Sequence, residues 1–175
     1  LYRFSDRLSV WGDLGWGFRA PTLNELYRQF SVGLVRTLAN EDLGPERLFG
    51  GEAGVRIETS RNSSVRSTWY DNAVKNPVSN VTIGTNLQQR QNLGRTRVRG
   101  WQNDVELRIN PSLRVTAGYL FNDAKVTEYD ANPALVGLYL PQVPKHRGSV
   151  GVSYTNPRYL TVSATFFYVG LVPDI

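Results

Sequence analysis

Apolar and polar residues alternate along most of this chain. From position 7 to 18 the even residues are Leu8, Val10, Gly12, Leu14, Trp16 and Phe18, and the odd ones Arg7, Ser9, Trp11, Asp13, Gly15 and Gly17. A period of two over about 12 residues predicts a β-strand with one apolar and one polar face. Positions 49–59 repeat it, with Phe49, Gly51, Ala53, Val55 and Ile57 against Gly50, Glu52, Gly54, Arg56 and Glu58. Val65, Ser67 and Trp69 then oppose Arg66, Thr68 and Tyr70. In the fourth run, from about Asn92 to Ile109, Trp101, Asn103, Val105, Leu107 and Ile109 oppose Gln102, Asp104, Glu106 and Arg108. Three more runs follow at 115–122, 148–155 and 160–168. Several exceed the roughly 5–6 residues of an ordinary globular strand.

The connections sort by length. Those after the second, fourth and sixth runs are a few polar residues, such as Asn110-Pro111-Ser112, where proline sets a turn and cannot donate to a ladder. Those after the first, third and fifth cover roughly 19–45, 74–91 and 128–145 and are rich in Gly, Pro and Asn. Short turns alternating with long loops predict an up-and-down meander whose two ends face different compartments, the layout of outer-membrane barrels. With the long loops outside, Phe18, Phe49, Trp101, Phe121 and Tyr168 fall in the outer half of the apolar stripes and Tyr154 at the inner end, like interfacial aromatic belts. The other parity carries Asp13, Glu52, Arg56, Glu58, Arg66, Asp104, Glu106 and Arg108. Burying so many charges in a dry core costs on the order of several kcal/mol each. A wet lumen holds them readily. The expected fold class is therefore all-β, a transmembrane antiparallel up-and-down barrel of which about seven strands are present. The competing reading is a soluble all-β binding module.

Composition narrows the picture. The 175 residues contain 20 Lys plus Arg against 15 Asp plus Glu, a formal charge of +5. That excess is spread over both faces and the loops, so nucleic-acid binding is not expected. There is no apolar run near the roughly 20 residues of a membrane-spanning helix, and the first six residues do not read as a signal peptide. Cysteine is absent, which excludes disulfides and Cys-based zinc sites. Methionine is absent too, and a piece of a longer protein is expected. His146 is the single histidine, at a loop–strand junction, where a structural role is expected. Without a second His or Cys it forms neither a metal site nor a catalytic dyad, so no cofactor and no enzyme activity are expected.

Particular segments then point to a family. Gly17-Phe18-Arg19-Ala20-Pro21-Thr22-Leu23-Asn24-Glu25-Leu26-Tyr27 resembles a characteristic segment of TonB-dependent receptors, the active transporters of the Gram-negative outer membrane. Asn92-Leu93-Gly94-Arg95-Thr96-Arg97-Val98-Arg99-Gly100, followed by Asp104 and Glu106, is similar to their second barrel signature, with Trp101-Gln102 departing from it. The stretches 40–46 and 140–147 are similar to further runs of that family. The resemblance covers nearly the whole chain. It implies seven later strands of a 22-stranded barrel, with the plug domain and closing strands outside the sequence and the last residues, 172–175, at the start of an outer loop. It also implies a monomeric barrel, a TonB energy-coupling complex acting through the plug, and an iron–siderophore, cobalamin or similar large nutrient as substrate. A passive porin or adhesion barrel shares the alternation but lacks the plug. An outer-membrane hydrolase needs an acid/base set near His146.

Three groups of residues are candidates for function. In the first long loop, Thr22-Leu23-Asn24-Glu25 fits a capping box that opens a short helix. Tyr27, Arg28, Phe30 and Arg36 beyond it either face substrate or belong to a loop that only covers the mouth. The eight lumen charges either gate passage or pair with the plug. Arg95, Arg97 and Arg99 share the parity of Trp101, and Arg95 is roughly 20 Å along the strand from it. They either bind lipopolysaccharide phosphates, for which guanidinium forks are suited, or are turned inward by a bulge.

Overall fold

A computed structural model of the protein describes residues 1–173, so the final two positions of the expected outer loop, Asp174 and Ile175, lie outside the described residues. In chain order the elements are β1 (Tyr2–Ser5), β2 (Leu8–Arg19), α1 (Leu23–Tyr27), β3 (Phe30–Val32), β4 (Val35–Leu38), β5 (Glu46–Ser60) and β6 (Ser63–Lys75). There follow β7 (Val78–Gly84), β8 (Leu87–Asn92), β9 (Arg95–Asn110), β10 (Leu113–Glu128), β11 (His146–Asn156) and β12 (Leu160–Val169). A large sheet has the order β1-β2-β5-β6-β9-β10-β11-β12, with every neighbouring pair antiparallel. It is an open, unclosed sheet of barrel type.

The seven alternating runs are seven of its eight strands. The eighth, β1, had too few residues before its turn at Asp6-Arg7 to register as a pattern. The third run continues past Tyr70 to Lys75, and the fifth to Glu128. Register explains the alternation. Leu8, Ile57, Val65, Val105, Ala117, Val150 and Phe166 are consecutive partners in one row across seven strands. A slip of one residue in any strand would turn its apolar set to the other face. The short turns hold that register: Asn110 Oδ1 accepts from the Ser112 and Leu113 amides at 2.8 and 2.9 Å, and Asn156 Oδ1 from the Arg158 amide at 3.0 Å.

The long connections differ from the irregular loops expected of them. Segments 19–45 and 74–91 build a second sheet of order β3-β4-β8-β7, in which β4 and β8 run parallel. Among the described residues, the cluster of buried apolar side chains lies where the outer end of the large sheet meets this small one, with Val126 supplied by β10 and Val81 by β7. Leu93, Val126 and Tyr129 pack there with Val81, Leu135 and Leu140. The apolar face of the large sheet stays open, with Val150 48% and Phe166 72% exposed. An uncovered face of that extent exceeds any patch normal for a soluble monomer.

Candidate functional site

The aromatic residues of the open face mark a boundary. Trp16 and Phe49 share one cross-strand row, with ring centroids 5.2 Å apart. Trp69, Trp101, Phe121 and His146 share a row two steps lower, and Tyr119 and Tyr168 flank Gly148 in the next. From Trp16 on β2 to Tyr168 on β12 the boundary drops three rows, about 20 Å of strand, while crossing six strand spacings, about 29 Å. Such a line is level with a membrane when the strands lean about 35° from its normal, as they do in outer-membrane-type barrels. The strands β9 and β10, each of 16 residues, extend well beyond it.

All eight charged residues expected on the opposite face lie there. Arg56, Arg66 and Asp104 form one row, and Glu58 and Glu106 flank Ser64 in the next. Arg56 pairs with Glu58 at 2.7 Å and Arg108 with Glu106 at 3.1 Å. The Arg66 guanidinium lies 4.5 Å above the Trp11 ring, which occupies the space over Gly54. Asp13 and Glu52 sit directly opposite each other, and among the described residues neither has a cationic partner. Exposed pairs of this kind contribute only about 0–1 kcal/mol each, so these charges are not what holds the sheet together.

Sequence reasoning missed several residues on this face. Arg114 also donates to Glu106, at 2.8 Å. Higher up, the Tyr70 hydroxyl donates to Asn122 across the surface of Gly100. A Cβ on Gly100 would overlap the Phe121 carbonyl and that hydroxyl. Only glycine fits under the ring. Alternation identifies the face but not which bare positions a neighbouring aromatic will cover.

The outer ends of the strands carry the mouth. Thr22 caps α1 in the expected capping box, its hydroxyl accepting from the Glu25 amide while Glu25 accepts from the Thr22 amide at 2.7 Å. Glu25 also receives Arg19 at 2.8 Å, and Arg19 reaches Glu46. The hydrogen bond from Arg19 is the main reason that the Glu25 carboxyl is held down to about 2. Glu46 in turn accepts from the Val78 amide at 2.8 Å, tying the two long connections together.

Tyr27, Arg28, Phe30 and Arg36 are all exposed here, but they do not converge. Phe30 pairs with Thr37 and Ser31 with Arg36, so Phe30 and Arg36 point from opposite faces of the small sheet. The residue that organises this region is Arg90, which gave no signal within its run of amides. It donates to the carbonyls of Asn24 and of Arg28, the latter at 2.9 Å, and its guanidinium lies 5.0 Å over Phe30. Asn92 does the same for the second half of the first loop, exchanging hydrogen bonds with Gly44 at 2.8 and 3.1 Å. On the far side Tyr129 donates to Gln91 at 2.6 Å.

Arg95, Arg97 and Arg99 keep the parity of Trp101. The β6–β9 pairing runs without a shift from Lys75↔Arg95 to Ser63↔Leu107, and the shift in the β9–β10 pairing opposite Thr96 and Arg95 puts its extra residue, Thr127, in β10, so β9 itself is not turned. Arg95 pairs with Glu128 at 2.8 Å, Arg97 with Asp71, and Arg99 with Asp123 at 3.0 Å. His146 lies on the same outer face, its Nδ1 2.8 Å from the Tyr119 hydroxyl. It closes the aromatic row.

Comparison with known proteins agrees with this architecture. Residues 1–173 match the family model described as TonB dependent receptor-like, beta-barrel. An uncharacterized TonB-dependent receptor of Haemophilus influenzae is 30% identical over 121 residues, 68% of this chain and 34% of its own length, so the chain spans about a third of that relative. Among solved structures, a ferric enterobactin receptor mutant of Pseudomonas aeruginosa in complex with enterobactin superimposes with a TM-score of 0.72 at 16% identity, covering 97% of this chain and 27% of that one. The copper transporter OprC does so with 0.70 at 16% identity over 93% and 24%. The ferric-catecholate import receptor Fiu of K12 E. coli gives 0.67 at 20% identity over 97% and 23%. At these identities the structural likeness is one of fold.

Proposed function

The chain belongs to the TonB-dependent receptors, β-barrel transporters and receptors of the Gram-negative outer membrane, and from that premise we propose that it forms part of the wall and outer mouth of a barrel that takes up an iron–siderophore complex, cobalamin or a similar large nutrient. The observation that supports this reading best is the joint construction of the mouth. Two long outer connections are tied into one sheet through β4 and β8, with Arg90 and Asn92 anchoring the first to the second. A passive pore needs no such roof, whereas a receptor that must hold its cargo before admitting it does.

In this reading the cargo is bound by the mouth, with Tyr27, Arg28, Phe30 and Arg36 on its exposed surface. A plug supplied by the rest of a full receptor releases the cargo inward when the TonB complex pulls on it. Asp13, Glu52, Arg56, Glu58, Arg66, Asp104, Glu106 and Arg108 line the lumen beside that plug, the barrel is monomeric, and Arg95, Arg97 and Arg99 meet lipopolysaccharide. Deleting the gene and testing growth on single iron sources, with cobalamin as a separate arm, identifies the cargo. Growth lost on one source and restored by the wild-type gene is expected. Uptake that persists after the proton-motive force is dissipated would instead mark a passive barrel.

A further inference from the structure

The outer face carries a charged band that the three arginines only begin to describe. Six cations, Arg47, Lys75, Arg95, Arg97, Arg99 and Lys125, occupy the lipid-side parity of β5, β6, β9 and β10, one to three rows beyond the aromatic boundary. Asp71, Asp123 and Glu128 lie among them, which leaves an excess of three positive charges. Each acid is already engaged: Asp71 by Arg97, Asp123 by Arg99 and by Lys125 at 2.9 Å, and Glu128 by Arg95. Arg47 and Lys75 have no acidic partner among the described residues.

Two features point to an anion. Arg47, Lys75 and Arg95 are consecutive partners in one row, and like charges directly opposite each other destabilise a sheet. A negative group over that row reverses the sign of the interaction. The acids, moreover, leave donors free. Arg97 engages Asp71 through Nε and Nη2, and Arg99 engages Asp123 through the same two nitrogens, so each keeps its Nη1 group for a further acceptor. Guanidinium groups fixed in this way by neighbouring carboxylates are preorganised for phosphate.

We propose that this band is a phosphate-binding site for lipopolysaccharide, and that it holds the glycolipid's phosphates directly, with no divalent cation between. The proposal rests on the outer-membrane reading above, since that reading places the band at the headgroups of the outer leaflet. The metal-free contact follows from charge. The carboxylates that would share a divalent ion with a phosphate are occupied by arginine and lysine.

The test uses the full receptor, purified from outer membranes in detergent containing EDTA, with bound lipopolysaccharide measured by mass spectrometry. The wild type should retain about one molecule per barrel, and a variant with Arg47→Gln, Lys75→Gln and Arg95→Gln about tenfold less, while both remain folded by heat-modifiable migration. Equal retention by the variant, or complete stripping of the wild type by EDTA, overturns the proposal. A second arm needs no variant. Wild-type receptor depleted of lipid should rebind intact lipopolysaccharide about tenfold more tightly than the same glycolipid after enzymatic removal of its phosphates, and equal binding overturns the proposal. Absence of the receptor from the outer-membrane fraction would count against the family reading instead, and fractionation reports it separately.

Discussion

The large sheet and the small one above it are built from the same kind of pairing but solve opposite problems. In the large sheet, strands of 10–16 residues keep one face predominantly apolar below the charged band for seven strands in a row and bury almost none of it within the chain. Its stabilising contacts on that side come from outside the polypeptide. The small sheet has strands of 3–7 residues, no long apolar stripe, and the chain's buried cluster of Leu93, Val126 and Tyr129 beside it. The difference teaches that the wall is specified by periodicity and environment, and the mouth by individual hydrogen bonds.

That contrast can be broken at either end. The largest effect is expected for Val150→Arg in the middle of the apolar face, where an arginine near the bilayer centre costs about 2–4 kcal/mol. Heat-modifiable migration of the receptor in outer membranes should report a sharp loss of folded barrel, and normal folding would mean that this face does not meet lipid. Next comes Gly100→Ala. Its methyl group would collide with the Phe121 carbonyl and the Tyr70 hydroxyl, at a cost of about 1–3 kcal/mol for overpacking. Chemical denaturation should show it, and Tyr70→Ala should not rescue it, because the carbonyl remains.

Changes in the mouth should leave the wall intact. Arg90→Ala removes charge-assisted hydrogen bonds worth about 1.5 kcal/mol, so amide exchange in α1 and β3 should accelerate about tenfold with unchanged barrel stability. Acid should act still more weakly and at the same place. Because the Glu25 carboxyl is held down to about 2 in the folded protein, against 4.5 unperturbed, its contribution is complete above pH 4.5 and is lost as pH falls toward 2. Exchange of the α1 amides should rise through that interval, and Glu25→Gln should abolish the dependence.

How far the sequence carried the reading follows from the same division. Alternation in 7–18, 49–59, 65–70 and 101–109 was enough to place these strands, their faces and all eight charged residues of the polar side, because a two-residue period has only two outcomes. It was blind to β1, which is too short, and to the true ends of the third and fifth strands, where Asp71, Asp123 and Lys125 interrupt the apolar stripe. The mouth was illegible for a stronger reason. Leu87-Gln88-Gln89-Arg90-Gln91-Asn92 has no period at all, and it is a strand because β7 pairs antiparallel along one edge and β4, some 50 positions earlier, lies parallel along the other. Only the Thr22–Glu25 cap, a local device, could be read there. Tyr27, Arg28, Phe30 and Arg36 looked like a group because they are close in sequence, but the β3–β4 hairpin sends Phe30 and Arg36 to opposite sides.

The parallel pairing of β4 with β8 has a mechanical outcome for whatever arrives from the medium. Two loops that merely stood side by side would act as separate fingers, each free to bend toward or away from a cargo. Stitched across β4 and β8 and pinned by Arg90, they form a single plate, and a push on either hairpin is felt at the roots of β5 and β9 together.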